Sequence, residues 1–254
     1  MLRFASLGSG SKGNSTLIEA GKTRILLDCG FTLEETERRL HRLGCSAHSL
    51  SGIVITHEHG DHAGGVGRLS RRYHLPVWLT VGTYHAMRDT KFAQHHFIKV
   101  HQEFAIDDLH LTSFPVPHDA REPCQFVFSN GNHRLGILTD TGSYTPLITQ
   151  LLQNLDALML ECNYDAQMLA QGPYPSRLKA RVAGRYGHLD NHQSASLLNQ
   201  LDLHKLQHLI GMHLSEQNNL PEYAYQALCT GTGCDEKWIQ LANQQDGIGW
   251  REIR

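Results

Sequence analysis

Hydrophobic positions alternate with polar ones through Leu2 to Leu7, Ser15 to Glu19 and Thr23 to Asp28, and a Gly8 to Asn14 loop and a Gly21-Lys22 turn separate the runs. Period-two patterning bounded by turn residues predicts three opening strands. A helix is expected next, because Thr32 and Glu35 have capping-box spacing, Leu33, Leu40 and Leu43 fall near one face, and Gly44 ends the run. The apolar stretch Gly52 to Thr56 reads as a buried strand, followed by a helix over Ala63 to Tyr73, a strand over Val77 to Thr80 and a short helix over Thr83 to Arg88. Leu109 to Val116, Cys124 to Ser129 and His133 to Thr139 repeat the strand pattern, with Asn130-Gly131 as the turn between the last two. Thr145 and Pro146 supply the cap and first-turn proline of a helix to Asn154. Ala157 to Glu161 and His208 to Met212 then read as strands, His192 to Leu201 and Pro221 to Leu228 as helices, and Lys237 to Ala242 with Ile248 to Ile253 as a closing hairpin. Strands from both halves interleaved with helices predict an α/β fold of two sheets back to back with helices outside.

Composition narrows the class. The 254 residues, 40% of them hydrophobic, suffice for one substantial core, and no linker or low-complexity tract divides them, so a single domain over 1–254 is expected. A net charge of −2 provides no global field to draw in nucleic acid, so any steering must be local. The cysteines at 29, 45, 124, 162, 229 and 234 form no Cys-x-x-Cys pair and read as reduced thiols of a cytoplasmic protein. No stretch approaches the roughly 20 apolar residues of a membrane span, and Met1 to Gly8 shows no cleavable signal pattern.

Candidate chemistry is concentrated in Thr-His-Glu-His-Gly-Asp-His, residues 56–62, directly after the buried strand. Four ligand-type residues in six have no packing explanation, whereas histidines outside any motif, such as His41, His95 and His204, are expected to be solvated or structural. His118, Asp140 and His213 each fall at a predicted strand-to-loop junction. Five imidazoles and two carboxylates without thiolate make a borderline-to-hard donor set, suited to zinc and, through the carboxylates, to manganese or iron. The expected arrangement puts one divalent ion on His57, His59 and His118, a second on Asp61, His62 and His213, and Asp140 between them. Two ions about 4 Å apart share a water whose pKa falls toward roughly 7, and hydroxide is then available at neutral pH, with Asp61 placed to orient it.

The segment Thr56 to Gly65 resembles the signature of the metallo-β-lactamase superfamily. Phe4 to Thr16, Pro117 to Ala120, Leu138 to Gly142, Leu160 to Asp165 and Gly187 to Asn191 resemble, in order, the YycJ (WalJ)-like branch of bacterial exonucleases. That resemblance, spanning about the whole chain, implies an αββα sandwich, a dinuclear site at its edge and hydrolysis of DNA phosphodiesters from a 5′ end. It also implies roles for Glu161 and His188, which sit where nucleic-acid-cutting relatives carry a Glu and a His that protonate the leaving oxygen, chemistry an imidazolium held by a carboxylate can perform. Cys162 and Asp190 depart from the serines expected at their positions, and Asp190 puts a negative charge beside a phosphate path. Arg177, Lys179, Arg181 and Arg185, just before His188, are candidate phosphate contacts, as are Lys12 and Asn14 in the glycine-rich loop after the first strand. A thioesterase or lactonase, a small-molecule phosphodiesterase and a non-catalytic binding protein remain the alternatives.

Overall fold

The structure, a computed structural model, describes residues 1–234 and 239–254. Its first half runs β1 (Leu2–Gly8), β2 (Ser15–Ala20), β3 (Thr23–Leu27), α1 (Leu33–Arg42), β4 (Gly52–Val54), α2 (Gly60–Ala63), α3 (Val66–Tyr73), β5 (Pro76–Leu79), α4 (Val81–Ala86) and β6 (Gln94–Phe97). The second runs β7 (Glu103–Ile106), β8 (Leu109–Pro115), β9 (Cys124–Ser129), β10 (Arg134–Leu138), α5 (Pro146–Leu151) and β11 (Ala157–Glu161). It continues through α6 (Ala166–Gln171), α7 (Ser176–Val182), α8 (Asn191–Leu198), β12 (His208–Met212), α9 (Pro221–Thr232), β13 (Ile239–Leu241) and β14 (Ile248–Ile253).

These strands form two seven-stranded sheets, ordered β14-β1-β2-β3-β4-β5-β6 and β13-β12-β11-β10-β9-β8-β7. Both faces of each sheet are apolar, which explains the continuous hydrophobic runs. In β11, Ala157 and Met159 face inward while Leu158 and Leu160 face outward. Phe4, Ile18, Ile25 and Val54 of the first sheet join Phe126, Phe128, Ile137 and Ile210 of the second in one central core. Outside the second sheet, Leu138 and Leu209 pack with Ile148 of α5, Leu197 of α8 and Leu228 of α9. Outside the first, Leu26 and Ile53 pack with Leu40 of α1 and Val66 and Leu69 of α3. Each such fully buried side chain contributes about 1.5–3 kcal/mol. The layers are therefore αββα, as the pattern predicts.

Several local expectations change. The closing hairpin does not form: β13 pairs in parallel with β12, while β14 pairs antiparallel with β1 in the other sheet. A single bridge, Asn243 to Gly247, marks where the chain crosses between sheets. Residues Lys237 and Trp238 of that expected hairpin lie outside the described residues. The helix expected from Ala63 is split into α2 and α3 at Gly64-Gly65, because the chain there lies against the Cys29–Phe31 turn; a Cβ on Gly65 would lie 2.0 Å from Phe31 O. Only half of the Thr32 capping box is made: Thr32 Oγ1 accepts from the Glu35 N–H, while the Glu35 carboxylate pairs with Arg38 and Arg39. The full box is at Asp190, whose carboxylate caps α8 by accepting from Gln193 N–H at 2.7 Å, so its charge serves a helix end. β6 and β7 carry too much polar surface to be read as strands, and both are sheet edges. Among the described residues, no helix is long and apolar enough to cross a membrane, and Cys29, Cys45, Cys124, Cys162 and Cys234 are free thiols.

Candidate metal centre

Six strands deliver their carboxyl ends to one edge of the sandwich. Asp28 follows β3, His57 follows β4, His118 follows β8, Asp140 follows β10, Glu161 ends β11 and His213 follows β12. Carboxyl ends of parallel strands leave a crevice where their connections diverge, so chemistry-bearing residues gather there. Asp28, Asp140 and His213 have φ of 60°, 50° and 56°, a left-handed turn that costs a non-glycine residue about 1–2 kcal/mol. Strain at three positions of one cluster is the kind stored at functional sites.

The side chains form two adjoining groups. His57, His59 and His118 converge, with His118 Nε2 3.2 Å from His59 Nδ1 and ring centroids of His57 at 4.6 and 4.9 Å from those of His59 and His118. Asp61, His62, Asp140 and His213 make the second group. Asp140 Oδ2 lies 3.1 Å from His62 Nε2, and its Oδ1 lies 3.6 Å from His213 Nδ1 and 3.9 Å from His118 Nε2. The carboxylate thus stands between the groups. Asp61 Oδ2 lies 3.5 Å from His62 Nε2 and 3.7 Å from His213 Nε2. Glycine is needed at residue 30, because a Cβ there would lie 1.7 Å from the Asp61 carbonyl oxygen and push the motif loop away.

The orientation of the rings fits a cation. Thr56 Oγ1 holds His57 Nδ1 at 2.9 Å, Asp28 holds His62 Nδ1 at 2.8 Å, the Gly187 carbonyl holds His118 Nδ1 at 3.1 Å and Glu161 holds His213 Nδ1 at 3.1 Å. Each ring therefore presents Nε2 to the centre, and the Nε2 atoms of His57 and His213 are buried with no hydrogen-bond partner among the described residues. Orphaned buried imidazole nitrogens facing carboxylates are the lone pairs a divalent ion takes. Burial and the neighbouring His62 push His57 well below the usual imidazole range, and burial lowers His118. Burial also opposes charge on His62 and His213, but Asp140, with Asp61 and further carboxylates, outweighs it and raises both, His213 to about 10. The cluster suits divalent metal binding.

Glu161 and His188 meet as a couple beside this centre. Glu161 is fully buried, and its Oε1 lies 2.7 Å from His188 Nδ1, while Oε2 accepts from the Thr141 and Leu189 N–H groups. Burial would raise the Glu161 carboxyl, yet His188 and His213 outweigh it and hold it below its ordinary range. Asp140, Glu161, His188 and His213 also lie close enough together to share an ion.

A cleft of about 180 Å³ opens from the cluster, lined by Ser11, Tyr174, Leu178, Arg181 and Asn218 beside His59, Asp61 and His188. Of the candidate substrate contacts, Arg181 lines this cleft, with Nε donating to Asp119 Oδ2 at 2.5 Å. Lys179 donates to Ala170 O, and Arg177 and Arg185 are exposed outside it. Lys12 pairs with Glu216 at 2.6 Å. Asn14 is buried, and its Nδ2 faces Asp61 Oδ2 at 3.3 Å, a position suited to holding Asp61. The amides of Gly10, Lys12, Gly13 and Asn14 all have protein acceptors, so these four are not free to cradle a phosphate.

Asp28 and Thr56 are the residues that reading the motif misses. Asp28 accepts from Thr56 N–H at 2.9 Å, from Thr56 Oγ1 at 2.8 Å and from His62 Nδ1, which fixes the tautomers of His62 directly and of His57 through Thr56. Burial pushes the Asp28 carboxyl up, against the pull of His62 and Thr56. The available signal is an acid ending the apolar run Ile25-Leu26-Leu27. Asp28→Ala is expected to weaken metal binding about 10- to 100-fold, measured by calorimetric titration of stripped protein. Unchanged affinity would remove this orienting role.

A sequence profile of the Beta-lactamase superfamily domain matches residues 23–214. The chain is similar to Exodeoxyribonuclease YycJ of Bacillus anthracis, 33% identical over 231 residues that cover 88% of this chain and 86% of the relative. It is similar to Exodeoxyribonuclease WalJ of Streptococcus pneumoniae serotype 2, 30% identical over 253 residues, with 97% and 91% covered. Among solved structures, the metallo-beta-lactamase fold protein YhfI from Bacillus subtilis superposes with a TM-score of 0.77 at 15% identity, over 99% of this chain and 100% of that one.

Proposed function

Because the chain belongs to the β-lactamase superfamily, in the family of the YycJ and WalJ exodeoxyribonucleases, we propose that it is a metal-dependent phosphodiesterase that digests DNA from a 5′ end. The observation that carries this reading is the Glu161–His188 couple at 2.7 Å, set beside the histidine groups on the wall of the cleft. Hydrolysis of a thioester or lactone has less use for such a couple, whereas a phosphodiester expels an alkoxide that needs a proton.

Two divalent ions would be held there, one by His57, His59 and His118 and one by Asp61, His62 and His213, with Asp140 standing between the two sets; zinc and manganese suit the donors, and iron lies within their range. Bound there, they supply Lewis-acid polarisation of the phosphoryl oxygens and lower the pKa of a water toward roughly 7. Asp61 lines the cleft, and its carboxylate would accept a proton from the attacking water. His188 donates from its far nitrogen, Nε2, to the departing oxygen, and Glu161 fixes the ring and balances its charge. Arg181 on the cleft wall holds a phosphate oxygen. Free thiols at Cys29, Cys45, Cys124, Cys162 and Cys234 agree with a cytoplasmic setting.

The test is a panel of end-labelled single- and double-stranded DNA and RNA, with 5′-phosphate or 5′-hydroxyl, in zinc and in manganese, alongside a thioester. Stepwise loss of DNA from the 5′ end is expected. Turnover of the thioester with every nucleic acid left intact would overturn the proposal.

A further inference from the structure

Aromatic side chains gather at the outer strand of the first sheet, away from the metal centre. Tyr84 of α4 stacks on His95 of β6, with ring centroids 5.0 Å apart and planes at 29°. Phe97, the last residue of β6, lies 5.3 Å from Tyr84 and 5.0 Å from His95. It is 49% exposed, and Val81, three residues before Tyr84 on α4, is 44% exposed. Because β4, β5 and β6 pair in parallel, the Phe97 end of β6 shares the sheet edge that carries His57. Two strand spacings, about 10 Å, separate β6 from β4. The 118–122 loop joins the two places. Arg121 N–H donates to Glu58 Oε1 at 2.7 Å, and the Glu122 carbonyl accepts at 2.9 Å from Thr80 Oγ1, the cap of α4.

Charge singles out the occupant. Residues 81–101 carry Arg88, Lys91 and Lys99, all exposed, against one acid, Asp89, which Arg71 holds. In a chain of net charge −2 this is a local basic segment. Aromatic faces among cations suit an unpaired polynucleotide, whose bases stack while its phosphates are neutralised. A second copy docked about a two-fold axis would instead set these cations against their own counterparts.

We propose that Phe97, with Tyr84 and His95, is a stacking platform for unpaired bases of a DNA strand whose scissile phosphate lies at the metal centre, and that Lys99 contacts the backbone of that strand. The inference rests on the nucleic-acid reading of the site and adds where the strand beyond the cut is held, and that it is held unpaired.

The probe is a cleavage-resistant phosphorothioate oligodeoxynucleotide, single-stranded or annealed into a blunt duplex, titrated against the metal-loaded full chain. Phe97→Ala is expected to weaken the single strand about tenfold, the loss of one stacked base, and to leave the duplex unchanged. Phe97→Trp keeps the affinity, whereas Phe97→Leu, apolar but without a ring, loses it. Lys99→Gln lowers the slope of log affinity against log salt by about 0.7, one phosphate of a single strand. The 4-nitrophenyl ester of thymidine 5′-phosphate is too short to reach the platform, so these variants turn it over at full rate. Unchanged strand binding in Phe97→Ala, an equal loss on strand and duplex, or a matching loss on the ester would overturn the assignment. Self-association that Phe97→Ala abolishes in sedimentation would also overturn it, and would make the patch an interface between copies. If DNA is digested while Phe97→Ala binds the strand normally, the platform falls and the nuclease reading stands. If strand binding depends on Phe97 and DNA is left intact, the platform stands and the nuclease reading falls.

Discussion

His188→Ala is expected to retain its metal and to lose about 100- to 10,000-fold in turnover on DNA, the range for removing one proton donor. The imidazole is assigned to neither ion: its Nδ1 is committed to Glu161 at 2.7 Å and stands 3.9 Å from Asp140 Oδ1. The variant should therefore separate binding from proton delivery. The sharper signature is its dependence on the leaving group. A 4-nitrophenyl ester of thymidine 5′-phosphate expels a stable phenolate that needs no proton, so the variant should lose far less on that ester than on DNA. An equal loss on both would mean that His188 does something other than protonate the leaving oxygen. Loss of metal, measured by elemental analysis, would instead make His188 a ligand, an arrangement for which Asp140, Glu161 and His213 are close enough. Glu161→Gln is a poorer probe, because Glu161 also holds His213 Nδ1 at 3.1 Å.

The residues of the cluster are legible in the sequence because metal chemistry demands particular residue types and the sandwich delivers them at strand ends. Four ligand-type residues between His57 and His62 have no role in a core, and the apolar run before them shows which strand carries them. His118, Asp140 and His213 are less visible, since each is a single residue whose meaning depends on strands far apart in sequence coming together at one edge. Asp28 was harder still. Nothing in Leu-Leu-Asp says that the carboxylate will meet Thr56 and His62, because that meeting is made by the parallel pairing of β3 with β4. Asn14 has the same difficulty: glycine and serine around it suggest an open anion loop, whereas the loop folds onto Asp61 and the amides of Gly10, Lys12, Gly13 and Asn14 have protein acceptors.

The fold shows a similar division. Strands buried on both faces, such as β11, announce themselves through unbroken hydrophobicity, and so do helix caps such as Thr145, whose side chain accepts from Ile148 N–H. Sheet edges are a different case. β6 carries Gln94, His95 and His96 because, among the described residues, its outer side meets no neighbouring strand, and this polarity hides it. The parting of β13 from β14 was hidden too, since two short strands separated by a turn have one local pattern whether they pair with each other or with two different sheets.

Asp140→Ala is expected to have the largest effect of any single change, reducing bound metal from the two ions per chain proposed above to at most one and abolishing measurable DNA hydrolysis. His59 reaches only one group and is half-exposed, so His59→Ala should lose one ion and leave the other. Asp140 faces both, at 3.1 Å from His62 Nε2 and 3.9 Å from His118 Nε2. Burial opposes its charge, but His213 and His62 outweigh burial and hold the carboxyl well below its ordinary range. Removing the carboxylate leaves clustered imidazoles without the negative charge that makes cations welcome, and breaking such a buried pair costs about 3–5 kcal/mol. One alternative must be kept apart, because Asp140 has a φ of 50° and alanine is strained there by about 1–2 kcal/mol. Asp140→Asn resolves it: asparagine tolerates the left-handed turn and keeps the shape while losing the charge. If metal is lost in both variants, charge is the cause. If Asp140→Asn keeps both ions and full turnover, the bridging assignment fails and the alanine defect belongs to the backbone.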